Sequence, residues 1–160
     1  MAGVGKSTIA RRVAARLHRE AVDLDAEIAT ASGRTVSEIF AHGGEAEFRK
    51  MEEEALSAVL GRPDPLVVAT GGGVVLSSEN RRLLETHALT VWLRAELDVL
   101  VERIERSPVP RPLLVGDVAV NVARLLEERE PLYASAADEV VEVGRVGIED
   151  VVERVMEALT

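Results

Sequence analysis

The feature that most constrains this chain is a phosphate-binding loop at its first residues. Residues Gly3 to Thr8 read Gly-Val-Gly-Lys-Ser-Thr, the second half of the pattern G-x-x-x-x-G-K-[ST]. Counting back from Gly5 puts the first glycine of the pattern one position before Met1. Glycines let backbone N–H groups surround a phosphate, and the following helix adds its positive end. Such a loop is typical of an α/β fold in which an apolar strand leads into it.

The side chains of the loop predict nucleotide binding. Lys6 is expected to reach the β- and γ-phosphates, and the Ser7 hydroxyl is expected to bind Mg²⁺. Thr8 either contacts an earlier phosphate or caps a turn. The alternative is a chance glycine-rich turn before an amphipathic helix.

Composition narrows the class of protein. A chain of 160 residues is expected to form one domain, residues 1–160, with a substantial core. Its net charge of -9 argues against general nucleic-acid or anionic-membrane binding. It has no cysteines, which excludes disulfides and thiolate metal sites. Neither a membrane-length apolar run nor a secretory signal is visible, so we expect a cytoplasmic protein.

Short apolar strands alternate with helical segments along the chain. Strands are predicted at 21–24, 66–70, 90–93 and 139–143, and a proline-rich loop at 107–116. Helices are predicted at 6–19, 25–32, 35–41, 44–60, 96–106, 118–130 and 148–159, with another carrying Leu83 and Leu84. This alternation predicts a parallel sheet covered by helices on both faces, a three-layer α/β/α fold.

Asp23 and Asp25 form a second chemical signal. Residues two apart on a strand point to the same side, and these lie where the strand ends, the edge at which open α/β sheets place ligands. One carboxylate is suited to the water shell of Mg²⁺ and the other to a substrate hydroxyl. The alternative makes Asp25 a helix N-cap and Asp23 a solvated strand end.

Glycines and arginines complete the set of candidates. Gly71, Gly72 and Gly73 end a buried strand and allow a ligand to touch the backbone, or they form a flexible turn. Arg49 is either part of a surface ladder with Glu52 and Glu53 or a carboxylate clamp oriented by Glu52. Arg111 could be a lid residue over phosphates, and Arg129 either a ligand or a complement to a helix dipole.

In series, these motifs resemble shikimate kinase, a small P-loop kinase of the nucleoside monophosphate kinase type. The resemblance runs from Ala2 to the last helix and is carried by AGVGKST, DLDAEI, IF…GGEAEFRKMEE, ATGGGVV, RPLL and EREPLY. It implies ATP-dependent phosphorylation of the shikimate 3-hydroxyl, on the chorismate route to aromatic amino acids. It also implies a monomer that uses Mg²⁺.

The resemblance assigns roles residue by residue. Lys6, Asp25 and Arg111 are implied as catalytic, with Asp25 accepting the proton of the attacking hydroxyl, and Ser7 with Asp23 as the residues that serve Mg²⁺. The ATP-binding set is Gly3, Val4, Gly5, Lys6, Ser7, Thr8, Arg103 and Arg111. The shikimate-binding set is Asp25, Arg49, Gly71, Gly72, Gly73, Arg129, Phe40 and Phe48. Residues 25–60 are the implied shikimate-binding segment and 107–117 the implied lid.

The resemblance also implies a strand of roughly five to six apolar residues before the loop, in the middle of the sheet. We therefore expect the natural chain to begin upstream of Met1, and the chain as written to fold poorly and to have reduced activity. Two alternatives remain open for the function. One is another small-molecule kinase of this fold, such as a gluconate kinase; the other is an inactive nucleotide-binding relative.

Overall fold

The computed structural model describes residues 4–108 and 111–160. The strands are β1 (Glu20–Asp23), β2 (Leu66–Ala69), β3 (Val91–Arg94) and β4 (Glu139–Glu142). The helices are α1 (Lys6–Leu17), α2 (Leu24–Ser32), α3 (Val36–Leu60), α4 (Ser78–His87), α5 (Leu97–Glu105), α6 (Val118–Ala136) and α7 (Ile148–Ala158). Gly3 of the predicted loop and positions 109–110 of the predicted lid lie outside the described residues.

All four predicted strands form, and they pair in parallel. β1 pairs with β2 from Glu20 opposite Leu66 to Asp23 opposite Ala69. β3 pairs with β4 from Val91 opposite Glu139 to Arg94 opposite Glu142. Helices separate the strands along the chain, as parallel pairing requires. The predicted α/β class with parallel strands is confirmed.

The two strand pairs are separate sheets. Within the described part of the chain, no backbone ladder joins β2 to β3. A cavity of about 500 Å³ lies between these strands, and α1 contributes Ile9 and Val13 to its lining. Val67 and Trp92 are therefore only partly buried. The cavity thus separates the inner strands of the two sheets.

Two helices depart from the predicted bounds. The predicted helices 35–41 and 44–60 form one element, α3, with a kink at Gly44, where φ is 72°. A glycine adopts this left-handed conformation without the steric cost of a Cβ. α6 continues six residues past the predicted end at Glu130, with Pro131 inside it. This prediction was wrong because the buried Tyr133 side chain of the last turns packs into the core.

The core forms where the apolar faces of the helices meet the strands. α1 packs on β1 and β2 and on α7, and α7 in turn packs on β4. The helix that follows the loop therefore connects the two strand pairs. Ion pairs of Arg16 with Glu149 and Glu153 reinforce the contact between α1 and α7 at its exposed edge. None of the helices in the described residues has the length and apolar composition needed to cross a membrane.

Filling the cavity between β2 and β3 should stabilise the protein. Consider an N-terminal extension of roughly six Val and Ile residues that occupies this cavity. Burying each side chain stabilises the folded state by about 1.5–3 kcal/mol, and ordering each residue costs about 1–2 kcal/mol of conformational entropy. We expect a net rise on the order of a few kcal/mol in the free energy of unfolding, measured by urea denaturation. A Gly/Ser extension of equal length is the control, and equal stability of the two extended proteins would contradict the prediction.

Candidate active site

The loop residues build an anion site at the N-terminus of α1. Gly5 precedes α1 with φ 81° and ψ 26°, a left-handed conformation that favours glycine. Among the described residues, no side chain caps this end of the helix. The positive end of the helix dipole at this terminus is suited to a phosphate. Val4 anchors the loop in the core with 2% of its surface exposed.

Lys6 lies among the charges of the site. Burial lowers the pKa of its ammonium to about 8, while Asp25 and Asp23 act in the opposite direction and Arg111 adds to the lowering. The residue retains some exposed surface. The electrostatic influence of Arg111 on Lys6 places the predicted lid arginine near the loop lysine. A bound phosphate would favour the charged ammonium and raise its pKa again.

Ser7 and Asp23 are brought together at the end of β1. The Ser7 hydroxyl donates to Asp23 Oδ2. Asp23 Oδ1 accepts from the backbone N–H groups of Asp25 (3.1 Å) and Ala26 (3.4 Å). Asp23 is therefore the N-cap of α2, so the alternative that gave this role to Asp25 was wrong. A hydroxyl and a carboxylate are hard oxygen donors that fit Mg²⁺ with a partial water shell.

Within residues 4–108 and 111–160, no group of three or more His, Cys, Asp and Glu side chains is arranged to hold a metal ion. The Ser7 and Asp23 pair would therefore need oxygens from water and from a bound nucleotide to complete an octahedral shell, which is the usual manner of Mg²⁺ binding.

The Asp25 carboxylate points at the turn after β2. A Cβ on Gly71 would lie 3.4 Å from Asp25 Oδ1, and this oxygen is buried with no hydrogen-bond partner in the described residues. Burial and the nearby Asp23 charge raise the pKa of Asp25, while Lys6 and Arg49 partly counteract them. An unpartnered buried acceptor beside cationic groups is suited to receive a hydroxyl hydrogen.

Arg49 is held by two glutamates on α3. Its Nη1 donates to Glu52 Oε2 at 2.8 Å, and its Nη2 donates to Glu45 Oε1 at 3.1 Å. Glu52 is fully buried, which raises the pKa of its carboxyl against the opposing effect of Arg49. The expectation that Glu52 orients Arg49 agrees with this contact. Glu45 was not predicted, although its position four residues before Arg49 on a helix is a recognisable signal.

Glycine is needed in the triplet because charged side chains lie very close to its backbone, and not because the backbone angles are unusual. A Cβ on Gly73 would lie 2.3 Å from the Arg49 guanidinium, and one on Gly71 would lie 3.1 Å from Glu52 Oε1. Side chains at these positions would displace the charged groups. The triplet thus brings backbone against Arg49, Glu52 and Asp25.

The other residues of the predicted shikimate-binding set are Phe40, Phe48 and Arg129, and they lie near Arg49 or Glu52. Phe40 and Phe48 pack with their rings tilted by 38° and their centroids 4.9 Å apart, and the Arg49 guanidinium lies 5.2 Å from the centroid of Phe48. Arg129, on α6, is 6% exposed, and its Nε has no hydrogen-bond partner in the described residues. Its charge acts on Glu52, which places both arginines near one buried carboxylate.

The two other predicted nucleotide residues differ in their surroundings. Burial lowers the pKa of Arg111, and its buried Nε has no partner in the part of the chain that the structure describes. Arg103, by contrast, lies on α5 and donates to the Gly144 carbonyl at 2.8 Å. No described contact links Arg103 to the loop, so its role in ATP binding stays a prediction.

Tyr133 is a site residue that the sequence analysis missed. Its hydroxyl donates to the Gly72 carbonyl, in the middle of the glycine triplet. A usable signal existed, because Tyr133 follows Arg129 by four residues on a helix and the two therefore share a face. The predicted helix end at Glu130 concealed this relation.

Known proteins with this arrangement are found by sequence and by structure. The sequence model described as shikimate kinase matches residues 2–160. The chain belongs to the shikimate kinase family. Among its relatives are the shikimate kinases of Bradyrhizobium diazoefficiens, 44% identical over 99% of this chain and 76% of that protein, and of Pelotomaculum thermopropionicum, 40% identical over 98% and 90%. That of Nitrobacter winogradskyi is 46% identical over 85% of this chain, and the match spans 63% of its length.

Solved structures of the family superpose closely. Shikimate kinase from Acinetobacter baumannii in complex with shikimate gives a TM-score of 0.93 at 32% identity, covering 98% of this chain and 87% of that one. The enzyme from Bacteroides thetaiotaomicron gives 0.87 at 30% identity, covering 98% and 93%. The P-loop kinase fold predicted from the motifs is thereby confirmed.

The lowered pKa of Lys6 predicts a specific pH dependence of stability. Between about pH 8 and the usual lysine pKa of 10.5, the unfolded chain holds the Lys6 proton and the folded chain does not. The free energy of unfolding gains a contribution that rises with pH in this window. Urea denaturation of wild type and Lys6→Met at pH 7 to 10.5 should show this contribution vanish in the variant.

Lys50→Met, the same substitution at an exposed position on α3, is the matched control. A difference between wild type and Lys6→Met that stays constant with pH would contradict the lowered pKa.

Proposed function

We propose that this protein is a shikimate kinase, transferring the γ-phosphoryl group of ATP to the shikimate 3-hydroxyl and giving shikimate 3-phosphate and ADP. The observation that carries the proposal is the placement of Asp25 and Arg49 against the same glycine turn, with Lys6 beside Asp25. A base, a carboxylate clamp and a phosphate-binding lysine thus converge on one region. The reaction supplies the route to chorismate and the aromatic amino acids.

Lys6 and the α1 N-terminus hold the phosphates of ATP in this proposal. Their positive charges stabilise the electron density that builds on the phosphoryl oxygens as the bond to the ADP oxygen breaks. Arg111, whose charge acts on Lys6, contributes a further cation at this point. Mg²⁺, held by Ser7 and Asp23, would neutralise phosphate charge when bound.

Asp25 acts on the acceptor. Its carboxylate accepts the hydroxyl proton as the shikimate oxygen forms its bond to phosphorus, so the proton ends on Asp25 and the electron pair of the broken P–O bond on ADP. The raised pKa of Asp25 brings its basicity closer to neutral pH, which favours this transfer. Lys6 and Arg49 keep the carboxylate ionised enough to serve as the base.

Arg49 and Arg129 bind the shikimate carboxylate. Glu52 and Glu45 fix the orientation of Arg49 before substrate arrives, so little side-chain entropy is lost on binding. Arg129 offers a buried donor, Nε, that lacks a partner in the described residues. Phe40 and Phe48, with the backbone of Gly71 to Gly73, form the walls that surround the sugar-like ring.

The proposal also covers the oligomeric state, the location and the moving parts of the protein. The protein acts as a monomer in the cytoplasm, with residues 25–60 as the shikimate-binding segment and 107–117 as a lid. A closed lid would exclude water and limit hydrolysis of ATP.

Measuring ADP release with a panel of acceptors tests the function. Release should depend on shikimate and should not occur with gluconate. Gluconate-dependent release would indicate another kinase of the same fold. Absence of release with every acceptor, from a folded protein that binds ATP, would indicate an inactive relative.

Replacing the base should separate catalysis from folding. Asp25→Asn keeps the size of the side chain and relieves the burial of a charge, so we expect kcat to fall at least about 100-fold, as for loss of a general base, with little loss of stability. Steady-state kinetics and thermal denaturation measure the two effects. Asp64→Asn, on the exposed loop before β2, is the control. Normal turnover in a stable Asp25→Asn protein would exclude the catalytic role.

A single methyl group on the glycine turn should weaken shikimate binding. In Gly73→Ala the new Cβ would meet the Arg49 guanidinium at 2.3 Å, so the clamp must shift. We expect the KM for shikimate to rise roughly tenfold or more, equivalent to about 1.4 kcal/mol, with the KM for ATP nearly unchanged. Gly61→Ala, at the end of α3, is the control. An unchanged KM for shikimate would contradict the assigned contact.

A further inference from the structure

Tyr133 joins the last turns of α6 to the glycine turn. Its ring is buried, with 6% of the residue exposed, and packs against Trp92 with centroids 5.6 Å apart. Its hydroxyl donates to the Gly72 carbonyl. The ring therefore has a packing role that is separable from the hydrogen bond of the hydroxyl.

The hydrogen bond from Tyr133 holds the middle residue of the glycine turn. The residues on either side of it approach the charged groups proposed to bind shikimate. Gly71 lies against Asp25 and Glu52, and Gly73 lies against Arg49. Backbone displacement at Gly72 would change both approaches at once. Glycines impose little conformational restriction of their own, so an external contact is needed to hold the turn in one position.

The same hydroxyl also interacts with Arg129, one turn earlier on α6. A phenol donates one hydrogen and accepts others, so it can give its proton to the Gly72 carbonyl while it accepts from a guanidinium. Arg129, Tyr133 and Gly72 thus form a chain of contacts from the second arginine of the site to the turn that faces the first.

We propose that Tyr133 is a positioning residue of the acceptor site, whose hydroxyl holds the Gly71–Gly73 turn and Arg129 in the arrangement that binds the shikimate carboxylate. The proposal rests on the shikimate kinase function proposed above. Its hydroxyl contacts Gly72 and Arg129, both of which belong to the proposed shikimate side of the site, so we expect its effect on shikimate affinity rather than on the transfer step.

Removing only the hydroxyl tests the proposal. Tyr133→Phe keeps the ring and its packing against Trp92. We expect the KM for shikimate to rise roughly three- to tenfold, the range of one hydrogen bond, while kcat and the KM for ATP change less than about twofold. A purely structural role would lower stability and impair both substrates together.

Ser135→Ala is the matched control on the same helix. Its hydroxyl donates to the Leu132 carbonyl on the exposed side of α6. We expect wild-type kinetics from this variant. A Tyr133→Phe protein with wild-type KM for shikimate would overturn the proposal and leave the kinase function intact, whereas a wild-type protein without shikimate-dependent ADP release would overturn both.

A second measurement tests the proposal while keeping a tyrosine hydroxyl at position 133. Tyr133 is the only tyrosine of the sequence, so biosynthetic labelling with 3-fluorotyrosine gives one ¹⁹F resonance. Saturating shikimate should shift this resonance, and ATP alone should shift it less. This readout decides the case if Tyr133→Phe fails to fold, because a resonance unchanged by saturating shikimate would also overturn the proposal.

Discussion

The close approach of a glycine turn to three charged side chains is the constraint on which the acceptor site depends. Gly73 packs against the Arg49 guanidinium, and Gly71 against Glu52 and Asp25. Backbone without side chains allows charged groups from α2 and α3 to meet at the end of β2. The register of β1 and β2, with Asp23 opposite Ala69, sets the two strand ends level and makes this meeting possible.

Burial gives these charges their chemistry. Glu52 is fully enclosed and paired with Arg49, because an isolated carboxylate would be costly to remove from water. Asp25 has a buried oxygen without a partner in the described residues and a raised pKa. Glu52 Oε1 is likewise buried without a partner there, so the two acids differ mainly in the hydrogen bond that Arg49 donates to Glu52 Oε2.

The sequence predicted what depends on local pattern. The phosphate loop, the four strands and the glycine triplet are short-range signals, and the structure places Lys6, Asp25 and Arg49 together as expected. It could not show that Asp23 rather than Asp25 caps α2, because both are suitable caps and the choice depends on the strand end. Nor could it predict Tyr133, whose role arises from packing between α6 and a turn 61 residues earlier. The roles of Arg103 and the lid depend on a nucleotide and stay predictions.

The divided sheet has a consequence for behaviour in concentrated solution. A four-stranded sheet has two edges, whereas two sheets of two strands have four. The inner edges, β2 and β3, are apolar, and the strand residues beside the cavity are only partly buried. Unpaired N–H and C=O groups on such strands are templates for pairing with another chain. Self-association through these edges would compete with the native state during expression and refolding. The charged residues of β1 and β4 lie on the outer strands and therefore do not shield the edges of β2 and β3 from another chain.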